Sequence, residues 1–138
     1  MRSVHTTTVC VALLIGCSTT RQHYPPELVG PHCDLKSPPA SAKTTQVHGT
    51  ALSAFPAKPE RSFTGCQSIW AMADGKVFWQ STVQFTDGRP KLYRYMDYVA
   101  GTRELLCRYE GERVEQVETA GGGVEQSCPS AETLQLAE

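Results

Sequence analysis

Two Asp-Gly dipeptides, Asp74-Gly75 and Asp87-Gly88, stand one strand length apart in the second half of this chain. A two-residue hairpin turn of type I′ needs positive φ at both central positions, and Asp-Gly supplies it well. Folding at Asp74-Gly75 sets Met72 against Val77, Trp70 against Trp79 and Cys66 against Val83. Folding at Asp87-Gly88 sets Val83 against Leu92, Trp79 against Met96 and Val77 against Tyr98. A third turn at Ala100-Gly101 sets Met96 against Leu105 and Leu92 against Tyr109. Together the turns align one apolar face that holds Cys66, Trp70, Met72, Val77, Trp79, Val83, Phe85, Leu92, Met96, Tyr98, Leu105, Cys107 and Tyr109. The opposite face carries Gln67, Lys76, Gln80, Thr82, Gln84, Lys91, Tyr93, Tyr95, Asp97 and Arg108, with Ile69, Phe78 and Leu106 as apolar exceptions. Such alternation predicts a mainly β chain, an antiparallel meander with one covered side or a partly closed small barrel.

The flanks are less regular. Residues 44–52, rich in β-branched side chains, predict a first strand, and Pro56 and Pro59 make the next stretch a loop or an edge. Glu110-Gly111-Glu112 turns into an edge strand over 113–118. Gly121-Gly122-Gly123 leads to a short return strand ending at Cys128, and residues 131–138 form a frayed tail.

The N-terminus carries an address. Arg2 precedes an apolar run, Val9 to Ile15, which is shorter than the ~20 residues a membrane-spanning helix needs but fits the core of an export signal. Leu14-Ile15-Gly16-Cys17 closes it and resembles the bacterial lipobox. The small Gly16 fits a peptidase site, and Cys17 supplies the thiol that takes diacylglycerol. Residues 1–16 are then a signal peptide, 17–32 a lipidated, proline-containing tether, and 33–130 the β domain. The expected place is the cell envelope, anchored by lipid. Ser18 rather than aspartate after the cysteine leans toward the outer membrane, facing the periplasm.

Six cysteines are present. Cys10 leaves with the signal and Cys17 carries lipid, which leaves Cys33, Cys66, Cys107 and Cys128 in an oxidising compartment. Three pairings are open. Cys33–Cys66 with Cys107–Cys128 is favoured because each closes a local loop, but spacing alone does not decide. A metal site is disfavoured, since no Cys-x-x-C pair exists and the cysteine and histidine spacings match no zinc pattern.

Candidate chemistry is sparse. Trp70 and Trp79, expected as cross-strand neighbours, could stack on a sugar, but their apolar neighbours suit core packing better. Arg94 falls on the inward face opposite Ser81 and Cys107, where an arginine needs a partner, a cleft or a route to solvent. Tyr93 and Tyr95, with Phe78, form an aromatic patch on the polar face suited to protein contact. Arg89 and Lys91 flank the second Asp-Gly turn as a small basic loop. No histidine lies in the sheet region, so a Ser-His-Asp or Cys-His arrangement would have to borrow one from the N-terminal stretch. The carboxylates Glu110, Glu112, Glu115, Glu118 and Glu125 fit edge protection better than glycosidase chemistry, and the glycine run lacks the Lys-Ser/Thr of a phosphate loop. A net charge of −1 without charge blocks argues against a nucleic-acid partner. No catalytic residue, metal ligand or cofactor is expected.

Phe85-Thr86-Asp87-Gly88-Arg89-Pro90, followed by Cys107-Arg108-Tyr109-Glu110-Gly111 and a final Cys128, resembles a family of small exported proteobacterial proteins, here termed the STY-type family. The match spans roughly residues 82–128. The sequence departs from that pattern in its lipobox, in Cys33-Asp34 where the family has Cys-Pro, and in the added Cys66. The resemblance implies export and a Cys107–Cys128 pairing and brings no activity with it. Lipoprotein inhibitors of lysozyme are similar in class, although their Ser-Gly-x-Arg-Tyr loop is missing and Tyr93-Arg94-Tyr95 is the nearest echo. The sequence thus predicts a non-enzymatic, membrane-tethered domain that binds or structures the envelope. The alternative is a lysozyme-inhibitor-like blocker of a cell-wall hydrolase.

Overall fold

The computed structural model describes residues 26–99, 101–117 and 127–136. The signal segment, Cys17, and the glycine run with residues 124–126 of the expected return strand lie outside them; Ser127 and Cys128, the described end of that expected strand, are not in the sheet.

Seven antiparallel strands form one sheet in strict chain order: β1 (Lys43–Val47), β2 (Thr50–Phe55), β3 (Gly65–Ala73), β4 (Lys76–Thr86), β5 (Arg89–Asp97), β6 (Arg103–Glu110) and β7 (Arg113–Val117). This is the meander, and it does not close into a barrel. Both Asp-Gly turns form as expected, with φ of 51° at Asp74, 73° at Gly75, 49° at Asp87 and 73° at Gly88. A further turn of this kind splits the expected first strand in two. His48-Gly49, with φ of 47° and 82°, joins Val47 to Thr50. Histidine tolerates the left-handed region better than most residues, which a search for Asn-Gly or Asp-Gly overlooks.

The register departs from the sequence expectation by one residue in each central hairpin. Met72 faces Val77 as expected, but a bulge then admits Phe78, so Ala71 faces Trp79 and Trp70 faces Gln80. A second bulge beside Asp87-Gly88 admits Lys91, so Gln84 rather than Val83 faces Leu92. It also accommodates Pro90, which has no N–H to give a regular ladder. The third connection is longer than two residues: Asp97 pairs with Arg103, and Tyr95 rather than Met96 faces Leu105. Because side chains alternate with a period of two, each slip moves a set of residues to the other face.

The supposed single apolar face is therefore divided between two. Cys66, Trp70, Leu92 and Met96 lie on one side with Gln80, Thr82 and Arg94. Trp79, Val83, Phe85, Leu105, Cys107 and Tyr109 lie on the other with Tyr93 and Tyr95. These are called the Cys66 face and the Cys107 face below. Trp70 and Trp79 are thus not neighbours across a hairpin. Both faces are covered in the middle of the sheet, as adjacent residues show: Trp70 and Ala71 are each 0% exposed, and Leu105 and Leu106 each 2%.

The covers are the segments that precede β1 and follow β7, one on each face. Residues 26–36 cross the Cys66 face, pinned by the Cys33–Cys66 disulfide, by Cys66 N–H donating to the Pro31 carbonyl at 2.8 Å, and by Val29 N–H donating to Gln84 Oε1 at 3.1 Å. The stretch from Pro26 to His32, expected as tether, thus belongs to the folded domain. Residues 127–136 cover the Cys107 face, held by Cys107–Cys128. They are not a frayed tail. Ala131 is buried with Leu105, Cys107 and Tyr109, and Leu134 packs against that cluster. Ser130 Oγ accepts from Thr133 N–H at 3.2 Å, starting the short turn that presents both residues.

Candidate functional site

The Cys66 face has a polar interior. Ser53, Ser68, Gln80 and Thr82 are all at most 3% exposed and share this side of the sheet. Buried hydroxyls and amides are costly without partners, and these have them. Ser53 Oγ bonds Thr44 Oγ1 at 2.7 Å, and Ser68 Oγ bonds Thr82 Oγ1 at 2.8 Å. Gln80 Nε2 donates to Thr82 Oγ1 at 3.3 Å and to the Leu35 carbonyl at 2.8 Å, tying the N-terminal segment to the middle of the sheet. The Trp70 indole N–H is buried without a partner among the described residues.

Where that segment leaves the sheet uncovered, a groove of about 710 Å³ opens beside β5 and β6. Arg94, Met96 and Leu106 form its floor, and Leu28 and Leu35 its far wall. Arg94 is half-buried here, opposite Thr82 on β4 and Leu106 on β6, not Ser81 and Cys107 as expected from two-residue turns. It makes no ion pair or hydrogen bond among the described residues. The rim mixes signs, with Lys36 against Glu27, Asp34 and Glu104. Apolar walls with a few polar groups are typical of binding grooves of this size. Such a lining can hold a mixed apolar and charged ligand, and the cysteine among its residues, Cys33, is held in a disulfide.

The other expected contact residues lie elsewhere. Tyr93 and Tyr95 are half-buried on the Cys107 face, packed on the core around Leu105, Cys107 and Tyr109. Tyr95 also lies 5.9 Å from Trp79, ring to ring, and Trp79 lies 6.4 Å from Phe78. Tyr93 and Tyr95 thus pack beside the C-terminal cover, and Phe78 is half-buried against Trp79, so the three do not form an exposed patch. Burial pushes the Tyr93 phenol up, with the Tyr95 phenolate a smaller contribution. Burial likewise raises Tyr109, whose hydroxyl donates to the Pro129 carbonyl at 2.7 Å.

Arg89 and Lys91 are exposed at the start of β5, beside a separate cavity of about 520 Å³ that Arg61 and Glu112 also line. The turn they flank is docked, not projecting. Gly88 N–H donates to the Phe63 carbonyl at 2.9 Å, and Asp87 N–H to Thr64 Oγ1 at 3.0 Å. The five expected contact residues thus fall in three places, and only Arg94 is in the groove.

Sequence reasoning missed the wall of the groove. Leu28 fell in the expected tether, Leu35 in a stretch with no expected element, and Gln80 on the expected polar face. The available signal was the Cys33–Cys66 pairing itself, which forces the residues around Cys33 across the sheet. Among the described residues no group of three or more His, Cys, Asp or Glu side chains stands close enough to hold a metal ion. Compared with protein-family models, with curated proteins and with solved structures, the chain returned no match.

Proposed function

We propose that this chain is an exported bacterial lipoprotein whose β domain binds a component of the cell envelope without acting on it chemically. In this reading the acylated Cys17 holds the domain to the membrane, with the outer membrane favoured. The Arg94 groove is the binding surface. The observation that carries the proposal is the pairing of the cysteines that remain after Cys17: each disulfide clamps a non-sheet segment over one face. A domain covered this way depends on an oxidising compartment, as envelope proteins commonly do. Lipidation through two or three chains would give stable anchoring, since each buried CH₂ contributes about 0.8 kcal/mol.

Mass spectrometry of the protein purified from bacterial membranes tests this, on the intact chain and after non-reducing digestion. The expected mature N-terminus is acylated Cys17, with Cys33, Cys66, Cys107 and Cys128 oxidised. An unmodified Cys17, or free thiols at the other four positions, would overturn the proposal. The lysozyme-inhibitor reading places its contact instead at Arg89 and Lys91. Charge reversal at those two positions separates the readings, because it abolishes hydrolase inhibition and leaves a ligand of the Arg94 groove bound.

A further inference from the structure

The sheet is open at β1. All five of its residues are exposed, and Val47 keeps 42% of its surface. Its backbone has a defined polarity. Val47 and Thr50 flank the two-residue His48-Gly49 turn, so they are a hydrogen-bonded pair, and such pairs alternate along an antiparallel ladder. Thr45 and Lys43 therefore also bond to β2. Thr44 and Gln46 sit at the intervening positions, opposite Ser53 and Ala51, and direct their N–H and C=O groups away from the sheet. Natural edges are commonly guarded by shortness, charged side chains such as lysine, proline, a bulge or inward-pointing charge. β1 is short and carries Lys43 at one end, but Thr44, Thr45 and Gln46 in its middle are uncharged, it has no proline or bulge, and its register with β2 is unbroken. β7, at the other end of the sheet order, carries Arg113 and Glu115.

We propose that two copies of this chain associate edge to edge through antiparallel β1 strands, about a two-fold axis at Thr45 normal to the sheet. In that register Thr44 of each copy exchanges both backbone bonds with Gln46 of the other, giving roughly four hydrogen bonds between chains. Thr45 meets its own counterpart, and Lys43 meets Val47, so no like charges stand opposite and the lysine stem covers the exposed valine. Thr44, Thr45 and Val47 are β-branched and suit an extended pairing. A two-fold axis normal to the sheet keeps both Cys66 faces on the same side. Both N-terminal segments then leave from that side, as two copies anchored in one membrane require. That last point alone rests on the lipoprotein reading; the pairing itself does not. A five-residue contact is small, so the association is weak in solution and strengthened where copies are confined together.

The test uses the full mature chain purified in detergent. Analytical ultracentrifugation over rising concentration should show the protein mass moving toward twice the monomer. Thr45→Lys, which sets two ammonium groups against each other, should weaken the association at least about tenfold. Gln46→Pro, which removes an outward N–H without touching the β1–β2 bonds, should do the same. Thr45→Cys supplies a second readout independent of those variants. Facing Cβ atoms about 5 Å apart should give a disulfide-linked dimer under non-reducing conditions, and Glu112→Cys on a turn far from β1 should not. A chain that stays monomeric to about 1 mM, or cross-linking as efficient from position 112 as from 45, would overturn the proposal. Neither result bears on whether Cys17 is acylated.

Discussion

The side-chain amide of Gln80, in the middle of β4, donates to the backbone carbonyl of Leu35 at 2.8 Å, across 45 residues of sequence. Among the described residues it is one of the polar bonds from the N-terminal cover to the sheet, and it is inaccessible to water at its donor end, with Gln80 3% exposed. Replacing Gln80 with leucine of similar volume leaves the Leu35 carbonyl without this donor and removes a partner of Thr82. We expect a loss of about 1–3 kcal/mol in urea unfolding. Hydrogen exchange should rise over residues 33–37 before it rises in the strands. Unchanged exchange in that segment would show that the disulfide alone holds it.

The two Asp-Gly turns look alike in sequence and should respond differently to substitution. Gly75, at φ 73°, has open space where a Cβ would sit, so Gly75→Ala meets only the backbone penalty of the left-handed region, about 1–2 kcal/mol. At Gly88, also at φ 73°, a Cβ would overlap the Arg61 backbone carbonyl. Gly88→Ala must therefore also displace the loop before β3, and it should cost at least about 2 kcal/mol more than Gly75→Ala. Equal melting temperatures for the two variants would mean that the docked loop yields without cost.

Removing either disulfide should cost about 3–4 kcal/mol in the chain-entropy picture, because the closed loops differ only modestly, with sequence separations of 33 and 21. The local consequences should differ more than the global ones. Cys33→Ser with Cys66→Ser should expose amides over residues 26–36, whereas Cys107→Ser with Cys128→Ser should expose those over 127–136. Peptide-level exchange mass spectrometry reads this directly, and a crossed pattern would contradict the division of covers between faces.

Tyr109 supplies a pH dependence whose sign follows from its burial. The folded state holds the phenol above its ordinary value of 10.0, so folding favours the protonated form. That contribution is intact below pH 10.0 and is lost as pH rises toward the folded value. Tyr93, raised for the same reason, acts in the same direction. Tyr109→Phe should reduce the alkaline loss of stability in denaturant titrations above about pH 10, and it should cost about 1 kcal/mol at neutral pH through the lost bond to Pro129.

Much of the architecture is legible in the sequence because it rests on local chemistry. Turn residues at Asp74-Gly75, Asp87-Gly88 and Gly111 mark three of the hairpins, and strand alternation marks the meander. Cysteine arithmetic leaves three pairings open, and the preference for local loops picks out the two that form. What alternation could not reveal was the bulges at Phe78 and Lys91, since a single extra residue leaves the composition of a strand unchanged while inverting the side its neighbours face. The clues lay in the misfits. Leu106 and Ile69 appeared as apolar exceptions on a polar side, and Gln80 and Thr82 sat among buried neighbours, because both sides of the sheet are interior. The groove was harder still. Arg94 was visible as an arginine in need of an environment, but the wall beside it comes from Leu28 and Leu35, whose proline-flanked surroundings carry no periodicity.

The placement of the cysteines has a consequence for how this protein matures. Cys66 and Cys107 project from opposite sides of one sheet, so once the strands pair, those two thiols are screened from each other by the backbone between them. Each can then meet only the cysteine that arrives on its own side. The meander joins neighbours in sequence and needs no crosslink to find its order. If the strands pair before the thiols oxidise, the sheet keeps Cys33 with Cys66 on one side and Cys107 with Cys128 on the other.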